Sequence, residues 1–161
     1  MSDVKQSTSD DKLDERTWDV VRAMVLAAHE VDRDAYRASA VRMDELKQAD
    51  ATPAGRYLFY LLWRRADQLM KKPQPTLSDI ANLADLAYPK FSQLANADKI
   101  TLEHILRSAF GKSDFSKSID AATFAIYMST ALASLLDEAG EELDAMRPYL
   151  ASWNARKYGS K

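Results

Sequence analysis

The chain has 161 residues, enough for a single domain with a real core, and 47% of them are hydrophobic against 29% charged, the balance of a folded globular protein. It contains no cysteine, which excludes disulfides, thiolate metal sites and a cysteine nucleophile and fits a reducing cytoplasm. The net charge of −2 is uneven: residues 55–75 carry five basic side chains against Asp67, whereas residues 1–54 carry 8 basic and 12 acidic ones.

Met1–Lys12 is polar and lacks the apolar run of a signal peptide, so residues 1–14 read as a flexible tail ahead of a helical domain over 15–155, with 156–161 as a basic tail. A first helix is expected from Glu15 to Val31, where Trp18, Val21, Val25 and Ala28 form an apolar stripe. Asp32-Arg33-Asp34 breaks it, and a second helix to Gln48 turns Tyr36, Ala40, Met43 and Leu46 inward. Next comes Thr52 to Met70, with Thr52 as cap, Pro53 at the first helical position and an apolar run from Tyr57 to Trp63. Only Arg56, Tyr60, Arg64, Asp67 and Lys71 leave a narrow water-facing stripe, so Leu62 and Trp63 are expected inside and the helix at the centre of the fold. That run is far short of the ~20 residues a membrane span needs, so no membrane association is expected.

Lys71-Lys72-Pro73-Gln74-Pro75 forms a stiff connector. Thr76 and Asp79 then set up a variant capping box for a helix with Ile80, Leu83 and Ala84 inward. Tyr88-Pro89 is expected to open a separate short helix ending near Asn96, Thr101 to cap another that Gly111 stops, and Ser118 to cap a long apolar one running to Leu135. Gly140 closes that helix, and Leu143, Met146, Leu150 and Trp153 make a last stripe that Pro148 breaks or restarts. No stretch alternates with period two between hairpin turns. The expectation is an all-α bundle of seven or eight helices around two apolar central ones, 54–70 and 118–136.

Catalytic signals are sparse. His29 and His104 are the only histidines, neither has a carboxylate three residues before it, and no phosphate loop or nucleophile elbow is present. His29 reads as a partly exposed surface group, and the run Asp137, Glu138, Glu141, Glu142, Asp144 as a solvated acidic face without calcium-loop spacing. No cofactor, metal or catalytic activity is expected.

Three non-catalytic readings remain. Leu77 to Phe110 places Ile80, Ala81, Ala84, Leu86, Phe91 and Leu94 at the packing positions of a helix-turn-helix. It resembles the Cro and phage-repressor class, which implies DNA contacts from Lys90, Ser92, Gln93 and Asn96, with Arg64, Arg65 and Lys71 on phosphates. Two features run against it: Asp85 stands where that class usually has glycine, and residues 76–111 are net acidic although DNA affinity rests on cations. The favoured reading is a cytoplasmic interaction or regulatory module that binds a protein partner, or a second copy of itself, through a helical surface; Tyr149, Trp153 and Tyr158 are its candidate patch, although these aromatics read better as the cap on the core. A receptor with an aromatic small-molecule pocket along Tyr57–Trp63 is the third.

Overall fold

The computed structural model describes residues 13–49, 52–71, 74–114 and 119–158. Among them the chain forms seven α-helices and no strand: α1 (Glu15–Glu30), α2 (Arg33–Ala49), α3 (Thr52–Met70), α4 (Leu77–Leu94), α5 (Lys99–Ala109), α6 (Ala121–Ala133) and α7 (Ala139–Tyr158). No helix among the described residues is long and apolar enough to cross a membrane.

Local chemistry explains most boundaries. Leu13 is buried, and the Thr17 hydroxyl donates to Asp14 at the head of α1. α1 ends in a left-handed Val31, and the Asp32 carboxylate then accepts the Ala35 N–H to start α2. α4 opens with a complete capping box: Thr76 accepts the Asp79 N–H at 3.1 Å and Asp79 accepts the Thr76 N–H at 2.8 Å. Aspartates cap two helices for which other residues were expected. Asp98, not Thr101, caps α5, and hydrogen bonds from Thr101 hold its carboxyl below the usual range. Asp120 caps α6, while Ser118 lies outside the described residues, as does the side chain of Thr52. Gly111 stops α5 at φ 76°, a left-handed turn that suits glycine.

Two helices run through prolines that were expected to end them. α4 is one helix from Leu77 to Leu94 with Pro89 inside, and α7 one helix from Ala139 to Tyr158 with Pro148 inside. Both prolines are exposed, as are Asp85 and Asp144, whose carbonyls each lose a helical donor, so water can supply the missing bond. Each apolar stripe also continues past its proline: Ile80, Leu83, Ala84, Ala87, Phe91 and Leu94 in α4, then Leu143, Met146, Leu150 and Ala151 in α7. Burying one unbroken stripe outweighs one lost hydrogen bond. Gly140, expected to end α6, instead sits in the first turn of α7.

The most enclosed element is α6, which packs against α1, α2, α3, α4 and α5. Most of its buried residues are small, Ala122, Ala125, Ser129, Ala131 and Ala133 beside Met128 and Leu132, so neighbouring backbones approach closely. Two polar groups inside this layer are satisfied. The Thr130 hydroxyl donates to the Ile126 carbonyl, which leaves the Tyr36 hydroxyl to donate to Thr130 Oγ1 at 3.1 Å. Burial pushes the Tyr36 hydroxyl up to about 12.

α3 is central, but its orientation differs from expectation. Tyr57, Leu58, Leu61 and Leu62 are fully buried, Leu62 at 1% exposure. Trp63 is 42% exposed, whereas Tyr60, assigned to the water-facing stripe, is 6% exposed. A helix apolar nearly all round gives periodicity nothing to orient it. What settles the matter is α7, which crosses the Tyr60 side, stacking Trp153 on Tyr60 at 4.9 Å between ring centroids.

Candidate functional site: an aromatic cleft beside α3

Arg56, Tyr60 and Arg64 are four residues apart and form one row on α3. α7 runs the opposite way across that row. The Arg56 guanidinium lies 4.1 Å from the Tyr158 ring centroid, Tyr60 stacks on Trp153 at an interplanar angle of 29°, and Arg64 lies 4.1 Å from the Tyr149 ring. Trp153 meets Tyr158 edge-on at 5.6 Å, and Tyr60 lies 6.3 Å from Trp63. Each ring of the proposed partner patch, Tyr149, Trp153 and Tyr158, therefore lays one face on α3, yet Tyr149 and Tyr158 stay about half exposed. Trp153 is half-buried, while Tyr149 and Tyr158 keep exposed outer edges.

Next to this seam the surface opens. A cleft of about 380 Å³ lies between α3, the end of α5, the start of α6 and the end of α7. Phe59, Phe124, Trp153 and Tyr158 form its walls, and the small residues Gly55, Ala109 and Ala121 leave it unfilled. Arg56 is the one ionised side chain lining it, held over the Tyr158 ring and with no carboxylate partner among the described residues. A second recess of about 460 Å³ continues past Phe59 to Trp63, Pro75 and Phe110, sharing Ser108 and Ala109 with the first. Phe59 and Trp63 thus line a concave surface, while Tyr57 is spent elsewhere, its hydroxyl accepting the Asp14 N–H at 3.0 Å.

The residues singled out for DNA are dispersed. The helix-turn-helix itself is absent: Asp85 stays within the continuous α4, and Val31 and Lys71 are the only non-glycine residues of positive φ among those described. Lys90 turns inward and donates to the His29 carbonyl at 3.2 Å, and burial holds its ammonium below the ordinary lysine range. Arg65 is committed at the opposite end of α3, donating to the Leu135 carbonyl at 2.9 Å and pairing with Glu142 at 3.0 Å. Arg64 is covered by Tyr149, and Lys71 is exposed beyond the α3 terminus. Ser92, Gln93 and Asn96 do converge, with Arg33 and Arg37, around a polar recess of about 410 Å³. Ser92 and Gln93 both donate to the Pro89 carbonyl there.

The histidines and the acidic run have structural partners. Since a carbonyl only accepts, His29 Nε2 carries the proton it shares with the Leu136 oxygen at 3.0 Å. Glu142 accepts the N–H groups of Asp137 and Glu138 at 2.7 and 2.9 Å, capping the α6–α7 turn rather than facing water alone. Asp144 takes a two-pronged contact from Arg22 at 2.8 and 3.1 Å, and that hydrogen bond raises the arginine's affinity for its proton. Glu138, fully exposed, is held above the usual carboxyl range by its hydrogen bond with Glu141 and the adjoining negative charges. Among the described residues, no group of three histidine or acidic side chains is placed to hold a metal ion.

Comparison of the chain with protein-family models, with curated proteins and with solved structures finds no match.

Proposed function

We propose that this protein is a non-catalytic binding module of the cytoplasm whose working site is the aromatic cleft between α3, α5, α6 and α7, and that the cleft takes a small apolar ligand. The observation that carries the reading is the cleft's lining. Four aromatic side chains surround a recess whose volume of about 380 Å³ falls within the range of small-molecule sites, roughly 300–1,000 Å³. Its floor is made of Gly55, Ala109 and Ala121, so no residue of the described chain occupies it. Cysteine-free composition supports the reducing compartment. A partner protein at Tyr149, Trp153 and Tyr158 is the second reading: Tyr149 and Tyr158 keep about half their surface exposed, but their other faces and Trp153 already pack on α3.

The test is a ligand-observed NMR screen of small, neutral aromatic and aliphatic molecules against the parent chain and Gly55→Leu. A β-carbon at Gly55 would sit 3.7 Å from Phe124, an ordinary contact, so the longer side chain can extend into the cleft without a clash at its root. We expect several binders whose signals vanish with Gly55→Leu. A library without binders, or binders indifferent to that substitution, would overturn the reading.

A further inference from the structure

Within this cleft the charge is one-sided. Among the described residues Arg56 is its only ionised lining residue, its guanidinium 4.1 Å from the centroid of the Tyr158 ring. No carboxylate among the described residues pairs with it, although Arg22, Arg65, Arg107 and Arg147 each have one. The positive end of α3 lies alongside, since Gly55 and Arg56 belong to its first turns and the first turn carries no acidic residue. Asp120 is the nearest acidic residue in sequence to the lining, flanked by Ile119 and Ala121, and its carboxylate is engaged by the Thr123 N–H and hydroxyl at 2.8 and 3.1 Å. A ligand matching this environment is apolar for most of its length and negative at one end.

We propose that the cleft is a site for small amphipathic organic anions, the apolar body lying between Phe59, Phe124 and Trp153 and an oxyanion head, a carboxylate in the simplest case, meeting the Arg56 guanidinium. This inference rests on the preceding reading of the cleft as a ligand site. Arg56 acts as the selector: an alcohol or amide of the same length fills the same aromatic walls but forgoes the charge-assisted hydrogen bonds. A cationic amphiphile meets repulsion from the guanidinium and from the helix end. The continuation of the cleft toward Trp63 and Phe110 gives room for a chain longer than the first recess holds.

Isothermal titration calorimetry of the full chain with decanoate and with its neutral twin, decanamide, tests this. Decanoate is expected to bind at least about tenfold more tightly than decanamide, the scale of a hydrogen bond to a charged group. Arg56→Gln should erase that difference, and Arg56→Lys should restore part of it. Unchanged circular dichroism melting of both variants establishes that the fold is intact. Equal binding of the two probes, or decanoate binding insensitive to Arg56→Gln, overturns the anion inference and leaves the cleft a neutral apolar site. Binding of neither probe overturns the cleft reading as well. Sedimentation velocity on the same samples covers one further occupant: a dimer that shuts both probes out assigns the cleft to a second copy of the chain and also overturns the inference.

Discussion

The two sides of α3 are made from nearly the same residues and do opposite things. On one side Tyr57, Leu58, Leu61 and Leu62 vanish into the core, much of it the small, alanine-rich surface of α6. On the other, Phe59 and Trp63 face concave surface that no described side chain fills. Hydrophobicity does not separate them. What differs is the opposing element: α6 approaches closely because most of its inward residues are small, whereas Gly55, Ala109 and Ala121 line a recess that no described side chain fills. Small residues thus bring the helices together in one place and leave a vacancy in another.

The largest expected effect is on the closed side. Leu61→Ala should cost roughly 2–5 kcal/mol, a large share of a total stability of about 5–15 kcal/mol, while Trp63→Ala should cost less despite removing more atoms, because the residue is 42% exposed. Urea midpoints of the two variants read the contrast directly, and a reversed order would show that the faces are assigned the wrong way round.

Next in size is a pH effect confined to the closed side. The folded chain holds the Tyr36 proton up to about 12 against an ordinary tyrosine value near ~10. Folding therefore keeps this stabilisation intact below about pH 10 and loses it as pH climbs toward 12, by roughly 2–3 kcal/mol in all. Burial also raises the Tyr57 hydroxyl and adds in the same direction. Stability curves of the parent chain and Tyr36→Phe should converge over that interval, and parallel curves would place the hydroxyl in contact with water.

Two smaller effects belong to the open side. Trp153→Ala removes the stack on Tyr60 and part of the cleft wall, and should cost about 1–2 kcal/mol by chemical denaturation. Gly55→Ala should have the opposite sign, a gain of up to ~0.5–1 kcal/mol in thermal unfolding, because its added carbon meets only Phe124 at ordinary distance and the unfolded chain loses freedom. A loss at Gly55 would mean that the cleft is narrower than described.

How far the sequence anticipates this molecule follows the range of the interactions. The α1 stripe, the Thr76–Asp79 box and the glycine stop at Gly111 depend on residues three or four apart, and each is where the pattern puts it. Pro89 and Pro148 were read by a local rule as boundaries, yet the stripe from Ala87 to Phe91 and Leu94 crosses the first and could have shown that the helix goes on. The exposure of Trp63 was not legible, since a helix apolar on all sides has no preferred face until its neighbours arrive. Nor was the cleft, whose floor joins residues from α3, α5 and α6 that mean nothing individually. Tyr149, Trp153 and Tyr158 stand out as aromatics close together near the C-terminus, but their partners on α3 lie about ninety residues earlier in the chain.

The ties between α1 and α7 set a timetable for the newly made chain. Arg22 reaches Asp144 and Glu15 meets Arg147, pairs separated by 122 and 132 residues. A ribosome adding about 5–20 residues per second delivers Asp144 roughly 6–24 s after Arg22. Throughout that interval α1 can pair with α2, its neighbour in sequence, but the side that α7 will cover stays open. Met24 and Val25 must be sheltered by whatever has already emerged, and α6, the helix that most of the others pack around, is itself among the last to appear. Nascent chains arrested after α5 should accordingly be sensitive to protease, and resistance should arrive abruptly once α6 and α7 clear the exit tunnel.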